Sequence, residues 1–203
     1  LKLFHLIITN FPIIYNLNME IREACKTDIP QIMQVKKWGT EKTYLERIEQ
    51  AREGKAAYLV IDDNGKILGH IFLKFYGKIT APNYPDMEDA FVKEELRDQG
   101  LGTKLIKEVE KITKEKGFNK IGLAVNPTLN PKAKSLYERL GYKDTGNSSY
   151  LDGVYNGTED WVIDMVKKGV GGGFGKYTPG EVISQIGKRS EQLNAALGRV
   201  RVT

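Results

Sequence analysis

Arg97-Asp98-Gln99-Gly100-Leu101-Gly102-Thr103 is the stretch on which the reading of this chain turns. A strand is expected over residues 87–93 and leads through Glu94-Glu95-Leu96 into it. Beyond it a long helix is expected as far as Gly117, with Leu101, Leu105, Val109 and Ile112 on one stripe. The first N–H groups of such a helix have no intrahelical partner, and the helix end carries about half a positive charge. Glycine at 100 and 102 lets an anion approach the backbone with no Cβ in the way, and Arg97 and Lys104 can add formal charge. A tight strand-to-helix turn without a ligand is the competing reading of two glycines alone. Leu105 stands where a dinucleotide fingerprint needs its third glycine, and no Gly-Lys-Ser/Thr follows a four-residue gap, so neither that fingerprint nor a P-loop is present.

Outward from this segment the periodicity alternates between two and 3.6. Residues 21–24 read as a short strand, Thr27-Asp28 as the cap of a helix carrying Ile29, Ile32 and Met33, and residues 41–53 as a second helix. Strands over 56–61 and 67–75 are joined by a turn containing Asn64-Gly65, a strong hairpin signal. The second of these is apolar on both parities, with Ile67, Ile71 and Leu73 on one and Leu68 and Phe72 on the other, so helices must cover both faces. A strand over 120–125, a helix over 131–140, a strand pair over 142–154 and a last strand over 160–166 complete the pattern. Strand, glycine turn, helix, strand requires two parallel strands with a right-handed crossover, hence an α/β chain with a mixed sheet.

The composition agrees with one domain. The chain has 203 residues, 40% hydrophobic and 28% charged, a globular balance. One cysteine, Cys25, excludes an internal disulfide, and two histidines exclude a dense soft-metal cluster, so a reducing, cytoplasmic setting without a metal is expected. Of the net charge of +5, residues 19–168 carry only +1 (25 Lys and Arg against 24 Asp and Glu), and the flanks carry the rest. That near-neutral domain argues against a nucleic-acid partner. Residues 1–18 are apolar but divided by Pro12 and lack an Ala-x-Ala cleavage pattern, so they read as a non-domain extension rather than a membrane helix or signal peptide. Gly169, Gly171, Gly172, Gly173 and Gly175 read as a linker, followed by an amphipathic tail helix with Val182, Ile183, Ile186, Leu193 and Leu197 that offers a surface for docking or a homodimer.

Arg97-x-x-Gly100-x-Gly102 resembles the acetyl-CoA signature of the GNAT superfamily of N-acetyltransferases. Asn130-x-x-Ala133-x-x-Leu136-Tyr137-x-x-x-Gly141-Tyr142 is similar to that family's second hallmark. The two occur in the family's order, and the resemblance covers residues 19–168. It implies a central, mostly antiparallel sheet of six or seven strands in which the glycine-loop strand and the next run parallel and splay apart. It further implies direct transfer of the acetyl group of acetyl-CoA to a primary amine of a small molecule or peptide. A non-catalytic acyl-CoA-binding module is the alternative.

On that resemblance the amides of Gln99, Gly100, Leu101, Gly102 and Thr103 would hold the CoA pyrophosphate, with Arg97 and Asp98 beside them. The backbone of Phe91, Val92 and Lys93 would pair with pantetheine. Deprotonating a lysine-like amine of pKa about 10.4 at neutral pH costs on the order of 4 to 5 kcal/mol, so a proton acceptor is needed. Glu88 and Asp89 are the leading bases, and Asp86 shares the side of Glu88 by period two. Solvent-facing carboxylates are the plain alternative for these three. Tyr137 is the candidate acid on the matched position, although helical spacing with Ala133, Leu136 and Leu140 also suits a core residue. Asn126 and Asn130 both remain candidates to meet the cofactor, because the loop holding them is one residue longer than the commonest family form. Asn130 before Pro131 also suits a helix cap. His70 reads as packed, Cys25 lacks a basic partner in sequence, and Trp38, Tyr76 and Tyr84 lie where acceptor-side loops would be.

Overall fold

The computed structural model describes residues 19–170 except 37, 38, 79, 80 and 82. The expectations for residues 1–18, for Trp38 and for the tail beyond residue 170 lie outside these. Eight strands form the sheet: β1 (Met19–Glu23), β2 (Ala56–Asp63), β3 (Lys66–Lys74), β4 (Asp86–Val92), β5 (Lys120–Val125), β6 (Lys143–Asp144), β7 (Tyr150–Tyr155) and β8 (Thr158–Lys168). The helices are α1 (Ile29–Val35), α2 (Glu41–Arg52), α3 (Leu101–Glu115) and α4 (Pro131–Arg139). The spatial order is β1-β2-β3-β4-β5-β8-β6, with β7 also on β8. The count exceeds the expected six or seven because β8 is long enough for two partners on one edge. Its first half pairs β7 and its second half pairs the two-residue β6. Residues 142–154 therefore do not pair with each other.

The hairpin between β2 and β3 forms as its turn residues demand, with Asn64 and Gly65 at φ 52° and 83°. Alternation then sorts the side chains. Ala57, Leu59 and Ile61 of β2 join Ile71, Leu73 and Met87 under α3, whose Leu101, Leu105, Ile106 and Val109 are buried there. Ala56, Tyr58, Val60 and Phe72 face Ile29, Ile32, Tyr44 and Ile48 of α1 and α2. Both faces of β3 are covered, as its double apolar parity requires. Among the described residues no helix is long and apolar enough to cross a membrane.

Two local expectations are corrected. The side chain of Asp28 does not cap α1. It accepts from the Cys25 amide at 2.8 Å and forms an ion pair with Arg22, so it ties the end of β1 to the helix instead. Asn130 occupies the cap position of α4 without a side-chain cap bond.

β4 joins β5 in parallel over only Asp86↔Gly122 and Met87↔Leu123, and thereafter the strands separate. On its other edge β4 stays paired to β3 as far as Gly69↔Val92. That approach is close: a Cβ on Gly69 would stand 2.7 Å from the Phe91 carbonyl oxygen and 3.2 Å from Val92 Cγ2. Gly69→Ala is expected to lower stability by about 1–3 kcal/mol, read as a reduced denaturant midpoint at unchanged m-value. An unchanged midpoint would mean that β4 moves freely against β3.

Candidate active site

A cleft of about 1380 Å³ opens where β4 and β5 part. At one end the loop before α3 takes two left-handed residues, Asp98 at φ 61° and Gly100 at φ 82°. Successive N–H groups are thereby turned outward at the start of a 15-residue helix, an anion-binding concavity. The first intrahelical bond from this end is donated by the Lys104 amide to Gly100, which leaves the amides of Leu101, Gly102 and Thr103 for a ligand. Leu101 contributes main chain only, since its side chain is buried in the core. Arg97 lines the cleft, and its Nε lies 3.4 Å from the Val92 carbonyl. Asp98 is exposed, with Lys132 at 4.0 Å. The Gln99 side chain donates to the Glu95 carbonyl.

The Lys93 amide donates to Leu68 at 2.9 Å, which removes it from any role in pairing with a ligand. Phe91 and Val92 are paired to β3 on one edge and face the opened gap on the other.

A bulge in β4 sets the middle of the cleft. Asp89 and Ala90 together oppose Ile71, and Asp89 sits at φ 50°. Period two would put Asp89 on the face opposite Glu88. The extra residue instead places both carboxylates toward α1 and α2. Lys36 Nζ lies 2.6 Å from Asp89, and the Arg47 guanidinium bonds Asp89 while standing 3.5 Å from Glu88. Burial pushes the Asp89 carboxyl up, but Arg47 and Lys36 outweigh it and hold the group below the ordinary carboxylate range. Glu88 is the more open of the two and pairs Lys74 at 2.5 Å. Arg47 also lies over the Phe72 ring at 4.8 Å.

Tyr137 of α4 reaches the cleft from the other wall, its ring edge-on to Tyr142 at 5.8 Å. Burial, and then the negative charge of Asp89, push its phenol up to about 12. The sequence offered core or cleft for this residue, and the structure gives it both. His70 is fully buried between Tyr58 and Phe91, and burial pushes it down to about 3, so it is neutral. Asn126 is buried and committed: its Oδ1 accepts from the Thr128 and Leu129 amides, and its Nδ2 donates to Asp160. Asn130 is exposed on the cleft.

The carboxylates and cations that line the other end of the cleft were not all legible. Lys36, Arg47, Lys74 and Lys78 carry no motif, and only the register of β4 against β3 shows that they meet the acidic run. Asp86 is 3% exposed, and burial, only partly offset by Lys78, pushes its carboxyl up to about 6.

The sequence model described as "Acetyltransferase (GNAT) family" matches residues 14–142. Thialysine N-epsilon-acetyltransferase of Sus scrofa is 45% identical over 58 residues, 29% of this chain and 34% of that protein. The Mus musculus counterpart is 42% identical over 62 residues, 30% of this chain and 36% of that protein. The chain thus spans about a third of the length of these curated relatives. Among solved structures, an N-acetyltransferase from Staphylococcus aureus superposes with TM-score 0.63 at 18% identity, covering 74% of this chain and 98% of that one. A phosphinothricin acetyltransferase from Sinorhizobium meliloti in complex with AcCoA gives TM-score 0.64 at 17% identity, covering 81% and 97%. At these identities the superpositions establish the fold.

Asp86 supplies a pH test. Its folded value of about 6 lies above the ordinary 3.8, so the native state holds this proton more tightly than the unfolded chain. Its contribution is full below about 3.8 and is lost as pH rises through about 6. The stability difference between the wild type and Asp86→Asn is expected to change over that window and to be flat above it. Urea unfolding at a series of pH values measures it, and a difference independent of pH would refute the assignment.

Proposed function

Since the chain belongs to the GNAT acetyltransferase family, we propose that it transfers the acetyl group of acetyl-CoA directly to a primary amine. The observation that carries this reading is the opened β4–β5 gap, with an anion-binding helix start at one end and Glu88 and Tyr137 on facing walls. The amides from Gln99 to Thr103 receive the pyrophosphate, Arg97 adds charge, and Phe91 and Val92 offer main chain to pantetheine. Lys93 drops out of that pairing. Asn130, rather than the committed Asn126, is the asparagine free to meet the coenzyme.

In the reaction the amine nitrogen attacks the thioester carbonyl, a tetrahedral oxyanion forms, and its collapse breaks the C–S bond. Glu88 takes the proton released by the ammonium, directly or through water, and the second N–H proton, lost as the tetrahedral species collapses to the amide, passes through water to the departing thiolate. Asp89 is reassigned: a carboxylate held anionic by two cations is a poor proton acceptor and a good anchor for Arg47. Tyr137 remains protonated at neutral pH. A phenol at about 12 facing a thiol near 8.5 would lose roughly 5 kcal/mol in complete proton transfer. Tyr137 therefore donates a hydrogen bond to the departing sulfur instead of a whole proton. The likeness to thialysine N-epsilon-acetyltransferases supports an acceptor with a lysine-like amine. Cys25 as the one thiol of the chain supports a reducing, cytoplasmic compartment.

Thiol release from acetyl-CoA with a panel of amines tests the activity. Glu88→Gln is expected to lower kcat about 10²-fold, and Tyr137→Phe by less, with coenzyme affinity retained in both. Coenzyme binding without turnover on any amine would leave only the binding-module reading. The coenzyme loop has its own test, because a Cβ at Gly102 meets nothing nearer than Leu136 Cδ2 at 3.9 Å. Gly102→Val is expected to raise the Kd for CoA more than about tenfold, or about 1.4 kcal/mol, with little change in Tm. Unchanged affinity would remove the diphosphate from this loop.

A further inference from the structure

The hairpin of β7 and β8 has two faces, and the cleft uses one of them. Tyr150, Asp160 and Val162 line the cleft. On the reverse side the register pairs Leu151 with Trp161 and Val154 with Glu159, and Trp161 Nε1 donates to Glu159 at 2.7 Å, so these four side chains share a face. Leu151, Val154 and Trp161 are 43%, 59% and 47% exposed there. A single exposed apolar residue needs no explanation, but adjoining ones on a two-stranded face form a patch of the kind that another element covers. Further along the same side of β8, Ile163 and Met165 join the core beneath α3 and α4. The helical layer ends short of the hairpin, and among the described residues β7 pairs with no strand but β8.

The chain carries a segment suited to extend that layer. Residues 171–203 follow β8 and lie beyond the described residues. In this stretch Val182, Ile183, Ile186, Leu193 and Leu197 have the spacing of one helical stripe. The reach is sufficient. Gly169 is held at the end of β8 by the Asn119 carbonyl, and Trp161 lies about 23 Å back along the strand from Lys168. A glycine-rich chain of the length of residues 170–180 spans roughly 18 Å on average and about 36 Å when extended. Charge favours this occupant over a second hairpin. Residues 144–166 hold five carboxylates and no lysine or arginine, whereas residues 171–203 hold five cations and two carboxylates. Lys78 reaches Asp164 from the cleft side, away from Glu159. Two copies of the hairpin packed face to face would set carboxylates against carboxylates. The tail instead brings Arg189, three positions after Ile186 and so beside its stripe.

We propose that residues 181–197 fold back as a helix onto the outer face of the β7–β8 hairpin of the same chain, with Val182, Ile186 and Leu193 on the apolar patch and Arg189 paired to Glu159. The docked segment backs the wall whose other face presents Tyr150 and Val162 to the cleft. The inference stands independently of the acetyltransferase reading.

Paramagnetic broadening in the full chain tests it. A nitroxide is attached at Gln192→Cys, on the polar side of the stripe, in a Cys25→Ser background that leaves no other thiol. When isotope-labelled, spin-labelled protein is diluted into unlabelled protein, the amides of Leu151, Val154 and Trp161 are expected to lose most of their intensity and those of β1 to keep theirs. Ile186→Asp is expected to abolish the loss. Arg189→Glu is expected to reduce it, and Glu159→Arg together with Arg189→Glu to restore it. Hairpin amides that keep their intensity overturn the proposal, and so does a loss unchanged by Ile186→Asp. A loss seen only when isotope-labelled chains without nitroxide are mixed with spin-labelled chains assigns the patch to a neighbouring copy and overturns the intramolecular contact.

Discussion

Asp89 stands in a left-handed conformation, at φ 50°, on a strand that has one residue more than its neighbour requires, and two cations, Lys36 just beyond α1 and Arg47 of α2, hold it there. The extra residue rotates the end of β4 relative to its beginning. Pairing with β5 accordingly stops after Met87, while pairing with β3 continues to Val92. The direction of Asp89 and the pairing of Phe91 with His70 follow from that one insertion.

A non-glycine residue in the left-handed region costs of the order of 1–3 kcal/mol unless its surroundings determine it. Here the determination is electrostatic. Side chains of Lys36, Arg47 and Asp89 are 15%, 12% and 17% exposed, so the screening that makes surface pairs weak is largely absent. Removing one member of such a set leaves an uncompensated charge, which costs about 3–5 kcal/mol, whereas the intact set contributes much less than that to stability. The clamp is therefore better understood as a device that specifies the shape of the cleft than as a stabiliser of the fold. It also couples function to α1 and α2, since Arg47 reaches Glu88 as well as Asp89.

The fold was legible because its determinants are local. Asn64-Gly65 dictates a two-residue hairpin, the double parity of β3 demands two helical layers, and Gly100 at φ 82° permits the sharp entry into α3. The outward-turned amides at the start of α3 were legible for the same reason, as they depend on backbone geometry that glycine spacing reveals. The acceptor end was not. Whether Asp89 shares a face with Glu88 depends on a bulge, and a bulge is a property of two strands in register. The roles of Lys36, Arg47, Lys74 and Lys78 depend on contacts between residues up to 86 positions apart, as between Lys78 and Asp164, which no one-dimensional spacing encodes. Asn130 was misread as a side-chain cap because the rule was applied to the residue before proline, while Asn126 supplies the turn four residues earlier.

The two ends of the cleft differ in how they handle charge, and the difference suits a reaction between an anion and a cation. At the α3 end an anion would meet uncharged N–H groups and a helix dipole, which bind it without requiring buried lysines. At the β4 end two cleft carboxylates are balanced by lysines. Lys74 pairs Glu88 and Lys78 pairs Asp86, both on stems that can swing away. Asp89 is held by the Arg47 guanidinium and Lys36 together, and Arg47 also reaches Glu88. Arg47, bonded to Asp89 and close to Glu88, thus fixes the wall of the cleft, while Lys74 reaches Glu88 on a stem that can swing away.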